Sequence, residues 1–111
     1  MTRWIVLGLL LLASPALAQA KLVKSAPAAG AKVKPPRHIV LTFSEALEPA
    51  YSGALLLDGD GRNVSGGPIA IDGVRMSLTP ERLAPGRYRV EWHAVGHEGK
   101  HSDGRIAFTV R

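Results

Sequence analysis

There is no cysteine in the 111 residues. Disulfides, thiolate metal ligands and a cysteine nucleophile are excluded together, so a small fold must hold by packing alone. Aromatic side chains are scarce, two each of Phe, Tyr and Trp, and the length allows one domain; a multi-domain enzyme and a large enclosed cofactor cavity are ruled out. Met1 and Met76 are the only methionines, which leaves a thioether-based soft-metal site without ligands. No stretch carries a 3.6-residue apolar period. Nucleophile-elbow, P-loop, H-E-x-x-H and dinucleotide fingerprints are all missing, and His101-Ser102-Asp103 is too local to form a catalytic triad. The residues give no reason to expect an enzyme.

What is present begins with a leader. Arg3 supplies a positive start, Ile5 to Leu12 an apolar run, and Ser14-Pro15 a break before small residues. That run is about half of the roughly 20 residues a spanning helix needs, so it reads as an export signal and not an anchor. Cleavage after Ala16-Leu17-Ala18 frees Gln19, while cleavage after Ala18-Gln19-Ala20 would free Lys21. The first site lies closer to the apolar run and is preferred, giving a signal peptide over 1–18 and one domain over 19–111. The net charge of +5 comes from 14 Lys and Arg against 9 Asp and Glu. The basic residues are scattered from Lys21 to Arg111, which describes a solvated surface and not a nucleic-acid arm.

Beyond the leader, Gly and Pro recur as turn punctuation between short alternating segments. Ile39, Leu41 and Phe43 alternate with polar or outward neighbours over His38 to Phe43. Ala54 to Asp58 and Val74 to Leu78 give two more strands. In Arg87 to Val95, Tyr88, Val90, Trp92 and Ala94 face inward, and Ile106, Phe108 and Val110 repeat the pattern at the end of the chain. Shorter extended pieces at Lys21 to Lys24 and Ile69 to Ile71 bring the count to about seven. Such a set predicts an all-β, immunoglobulin-like Greek-key sandwich or barrel. The expected core is Ile39, Leu41, Phe43, Leu55, Leu57, Leu78, Leu83, Tyr88, Val90, Trp92, Ile106, Phe108 and Val110. Leu83-Ala84-Pro85-Gly86-Arg87-Tyr88 fits either a tyrosine corner or an ordinary Pro-Gly turn before a core Tyr.

The histidines are the uneven feature. His93, His97 and His101 fall within nine residues, with Glu98 and Asp103 beside them. His93 follows the inward Trp92 and should face solvent. His97 and His101 fall in a glycine-rich loop read as Gly96 to Gly104, free to arrange itself around an ion. Imidazole and carboxylate together suit Cu(II) or Zn(II). A polar, exposed loop that merely holds histidines accounts for the same residues.

Several segments resemble one family. Lys21-Leu22-Val23-Lys24-Ser25-Ala26-Pro27-Ala28-Ala29-Gly30, the stretch Ile39 to Glu45, the stretch Leu83 to Trp92, and Gly99 and Gly104 before Phe108-Thr109-Val110 are similar to the CopC family of periplasmic copper-binding proteins. The likeness covers essentially the whole chain after the leader. It implies an immunoglobulin-like β-barrel in the periplasm, a role in copper handling, and a CopD-type membrane copper-transport partner. It also implies a Cu(II) site built from the amine and imidazole of a first-position His, with an Asp and a His from a D-G-H loop. Those three positions fall on Gln19, Glu98 and Lys100. Gln19 keeps an amine without an imidazole, Glu98 keeps a carboxylate one methylene further out, and Lys100 puts an ammonium where a neutral donor stood.

Three readings follow. The first is a copper-binding protein of the resistance or homeostasis type, delivering or sequestering copper through a degenerate site of His97, Glu98 and His101. The second is a non-metal binding module on the same scaffold, contacting a membrane or envelope partner. The third, a copper oxidase with an N-terminal histidine brace, is opposed by Gln19.

Overall fold

Strand β3, Ile39–Phe43, shows how the chain becomes a two-layer fold. Its odd positions Ile39, Leu41 and Phe43 are buried while Val40 and Thr42 are half-exposed, the period-2 signature of a strand with one wet face. The computed structural model describes residues 19–111; the leader assigned to 1–18 lies outside the described residues. The other strands are β1 Leu22–Ala26, β2 Lys32–Val33, β4 Gly53–Asp58, β5 Ala70–Asp72, β6 Arg75–Leu78, β7 Gly86–Val95 and β8 His101–Val110, with a 3-10 turn at Pro49–Tyr51. They form two four-stranded sheets, ordered β1-β3-β6-β5 and β2-β8-β7-β4. Every pairing is antiparallel except β2 with β8, where Lys32 aligns with Thr109 and Val33 with Val110. The all-β sandwich expected from the alternation is the observed fold, with eight strands among the described residues where about seven were expected.

The core lies between the sheets. Ile39, Leu41, Met76 and Leu78 from one layer meet Leu56, Val90, Phe108 and Val110 from the other. Tyr88 and Phe108, cross-strand partners on β7 and β8, stack with ring centroids 5.8 Å apart and planes at 20°. Tyr88 also donates its hydroxyl to the Ala84 carbonyl at 2.6 Å, so the segment before β7 is a tyrosine corner.

Two core assignments need correction. Leu55 is 45% exposed, and Leu56, absent from the expected core, is fully buried. Three consecutive leucines give no phase, and the pairing of Ala54 with Trp92 and Leu56 with Val90 puts the even positions inward. Leu57 is buried outside the central cluster and bridges to Asn63. Trp92 and Ile106 are only partly buried and pack against the cluster from its margin.

Candidate functional site

Strands β7 and β8 pair in register from Gly86↔Val110 to Val95↔His101. The connection between them is therefore the five residues Gly96 to Lys100, closed by bonds from Gly96 N to the Lys100 carbonyl at 3.3 Å and from Gly99 N to the Gly96 carbonyl at 2.9 Å. Gly99 has φ of +81°, a left-handed value that glycine adopts without a Cβ clash. The longer loop expected over Gly96 to Gly104 is thus corrected: His101 to Gly104 belong to β8. Hydrophilic side chains on an outward strand face look like loop residues in a sequence, yet the ladder needs only their backbone.

This hairpin end is fixed from two sides. On one, Glu48 N bonds the Val95 carbonyl at 2.8 Å, Leu47 bridges to Gly96, and the Glu48 carboxylate meets His97 Nδ1 at 2.9 Å. Gly96 is itself buried, and a Cβ there would collide with the Glu45 carboxylate. On the other side, the start of the described chain reaches β8 across 82 positions of sequence. Gln19 Nε2 donates to the His101 carbonyl at 2.6 Å, and Ser102 Oγ donates to the Ala20 carbonyl at 2.5 Å. Lys21 is tied to Ser44 by a backbone N to Oγ bond of 2.9 Å and a return backbone bond of 2.8 Å. An open cleft of about 500 Å³ lies between these pieces, lined by Gln19, His101, Asp103 and one margin of Trp92 among others.

The sequence-selected residues end in different surroundings. His97 is on the hairpin turn, exposed and held by Glu48. Glu98 and Lys100 are exposed on the same turn. His101 opens β8 and lines the Gln19 cleft. His93, expected to face solvent, is exposed on β7, and its ring lies over Gly53, where a Cβ would stand 3.2 Å from Cε1. Among the described residues no three His, Cys, Asp or Glu side chains stand close enough to share a metal ion. Asp103 is the donor whose placement the loop reading obscured: two residues from His101 on one strand, it shares that residue's face and its cleft.

Trp92 joins this end to the core. It lies opposite Gly104 on the inner face of the hairpin, and a Cβ at Gly104 would stand 2.7 Å from Trp92 Cζ2. The ring meets Phe43 edge-on at 5.1 Å and 75°. Its indole Nε1 is buried with no hydrogen-bond partner.

Comparison with known proteins gives one consistent answer. The family model of the CopC domain matches residues 22–111. The copper resistance protein C of Pseudomonas syringae pv. tomato is 36% identical over 107 residues, covering 86% of this chain and 85% of its own. Among solved structures, CopC from Methylosinus trichosporium OB3b superposes with a TM-score of 0.76 at 29% identity, over 82% of this chain and 92% of that one. PcoC, a methionine-rich copper resistance protein from Escherichia coli, does so with a TM-score of 0.71 at 34% identity, over 85% and 100%. The methionine richness is not shared, since Met76, the single methionine after Met1, is fully buried in the core. With a family match across nearly all of the described residues and the sandwich topology in place, the chain belongs to the CopC family.

Proposed function

We propose that the protein is an exported, non-enzymatic copper-handling protein of the periplasm, whose inherited Cu(II) site has degenerated and whose remaining affinity rests on His97, Glu98 and His101. The observation that carries this reading is the bond from Gln19 to the His101 carbonyl. It supports the reading by setting Gln19 beside the hairpin that carries Glu98 and Lys100, the three positions at which the resemblance implies imidazole, aspartate and imidazole. Cu(II) favours nitrogen donors in a tetragonal set, and an exposed ammonium at Lys100 both withholds a donor and repels a cation. With no three donors gathered among the described residues, the folded hairpin does not suit a tight site. A weak, rapidly exchanging site suits delivery better than storage, and a CopD-type membrane transporter is the natural recipient.

The test is Cu(II) titration of the processed protein by calorimetry, with Trp92 fluorescence as a second readout because Trp92 and His101 line one cleft. Each missing ligand costs at least about 10- to 100-fold in affinity. The variant Gln19→His/Glu98→Asp/Lys100→His should therefore gain at least about 100-fold over wild type. His97→Ala/His101→Ala should abolish what the wild type retains. Tight wild-type binding that ignores both histidines refutes the proposal. If only the restored variant binds copper, the non-metal binding module is the better account, a reading that the dispersed donors favour.

A further inference from the structure

The end of the sandwich opposite His97 and His101 carries a concentrated positive charge, with His38 beside it. β2 pairs with β8 and β8 with β7, so Lys32, Thr109 and Arg87 form one row on the outer face of their sheet. Arg111 follows directly, its N–H bonded to the Val33 carbonyl at 2.9 Å, and Lys34 is the next residue along the same edge. Arg37 lies on the short link to β3, whose first residues pair with Leu78 and, across β1, with Ala26 at this same end. All five cations are exposed, and among the described residues none is in an ion pair.

The acids of this end do not neutralise them. Asp58 is on β4, at the opposite edge of the sheet from β2, and its carboxylate accepts from the backbone of its own turn at Asp60 and Arg62; Asp60, exposed in that turn near the Arg87 backbone, is the one acid beside the patch among the described residues and forms no ion pair with it. Glu81 lines a groove on that same side together with Asp58 and Arg82. Glu91 is taken by Arg89 at 2.8 Å. At the far end of the ten-residue hairpin strands, about 30 Å away, lie the acids Glu48, Glu98 and Asp103, Glu48 being held by His97 and Asp103 lining a cleft with Arg105. That separation exceeds the roughly 8 Å screening length of physiological salt several times over, so the two ends act independently.

We propose that Lys32, Lys34, Arg37, Arg87 and Arg111 form a docking surface for an anionic phospholipid bilayer, with the histidine hairpin directed away from it. A protein partner is disfavoured by what this end lacks. Stable protein interfaces centre on aromatic or apolar anchors, and the exposed large apolar residues Val23, Tyr51, Leu55 and Val74 belong to other parts of the surface. Long cations outside any ion pair, on an edge without an exposed large apolar residue, suit a fluid, charged surface, where each adds its own increment of attraction. Docked this way, a protein that handles metal at its hairpin would hold that end open to the surrounding fluid. The surface needs no metal, so its test is independent of copper binding.

The processed, metal-free protein is co-sedimented with vesicles of phosphatidylcholine containing about one-third phosphatidylglycerol. Wild type should bind at low salt, release as salt approaches physiological strength, and ignore pure phosphatidylcholine. Removing one such cation weakens partitioning about fivefold, so Lys32→Gln/Lys34→Gln/Arg87→Gln/Arg111→Gln should lose at least about 100-fold. Lys21→Gln/Lys24→Gln/Arg75→Gln/Lys100→Gln has the same net charge and should lose less than about fivefold. Because the chain has no cysteine, Thr109→Cys and Glu98→Cys each accept a single environment-sensitive label; the first should shift on vesicles and the second should not. Failure of wild type to bind at low salt, equal loss in both charge variants, or a shift at position 98 alone would overturn the proposal. Retention by an acidic protein without vesicle binding would overturn it as well.

Discussion

Replacing Tyr88 with Phe deletes one oxygen and leaves a ring whose surroundings are already apolar. The Tyr88 hydroxyl donates to the Ala84 carbonyl at 2.6 Å, pinning the β6–β7 connection onto the first rungs of β7. The ring itself stacks on Phe108 and is 8% exposed. A neutral intramolecular hydrogen bond contributes about 0.5 to 1.5 kcal/mol net. Ala84 is exposed, so water reaches its carbonyl once the hydroxyl is gone, and no full burial penalty is added. The expected cost of Tyr88→Phe is therefore about 1 kcal/mol, or a fall in Tm of about 4 to 8 °C for a domain of this size. Tyr88→Ala removes the stacked ring as well and should cost about 3 to 5 kcal/mol, enough to bring a small domain near its unfolding limit. Urea titration followed by Trp92 emission measures both, since Trp92 is the sole tryptophan among the described residues and sits against Phe43. A Tyr88→Phe variant equal to wild type within error would refute the corner as a stabilising contact. A loss above about 3 kcal/mol would show that the hydroxyl does more than this one bond.

Further outcomes are expected. Leu56→Ala should cost about 2 to 5 kcal/mol and Leu55→Ala less than about 1 kcal/mol by denaturant titration, because only Leu56 is fully buried; the reverse order would invalidate the observed phase of β4. The backbone N–H of Arg62, chiefly, holds the Asp58 carboxyl below the usual aspartate range; desolvation opposes it, and the backbone N–H of Asp60 and the Arg62 charge add to the lowering. A carboxylate lowered on folding contributes stability that is complete above its unfolded pKa, about 4, and is lost as pH falls through the lowered folded value. Wild type should accordingly lose stability faster than Asp58→Asn when melts are taken at successively lower pH below about 4, and parallel profiles would count against that role. Intact mass of periplasmic material should correspond to a chain starting at Gln19; a mass starting at Lys21 or Met1 would place the leader boundary elsewhere.

The parts of this fold legible in the sequence are those where a strand meets water on one face only. β3, the inner half of β7 and the end of β8 alternate because their odd and even positions meet different solvents. β4 was legible as a strand and illegible in phase, because its apolar run satisfies either assignment until pairing with β7 selects one. β2 is two residues long and exists by virtue of its parallel partner, which no local pattern announces. The candidate site was less legible still. The His97–Glu48 pair and the Gln19–His101 bond join residues 49 and 82 positions apart.

Spacing alone also hides the difference between Lys100 and His101. One residue along a strand carries a side chain to the other face of the sheet, and here it also carries the residue out of the turn and onto the ladder. Lys100 ends the connection, while His101 is the first rung, paired with Val95. An imidazole at 101 therefore cannot stand in for one at 100 by small adjustment of side chains. The fold and its lineage are written in the alternating strands, whereas the strength of the proposed metal site would depend on a one-residue register that three clustered histidines do not reveal. That register is the physical ground on which weak binding is proposed for this hairpin, while the sandwich beneath it keeps the family's architecture.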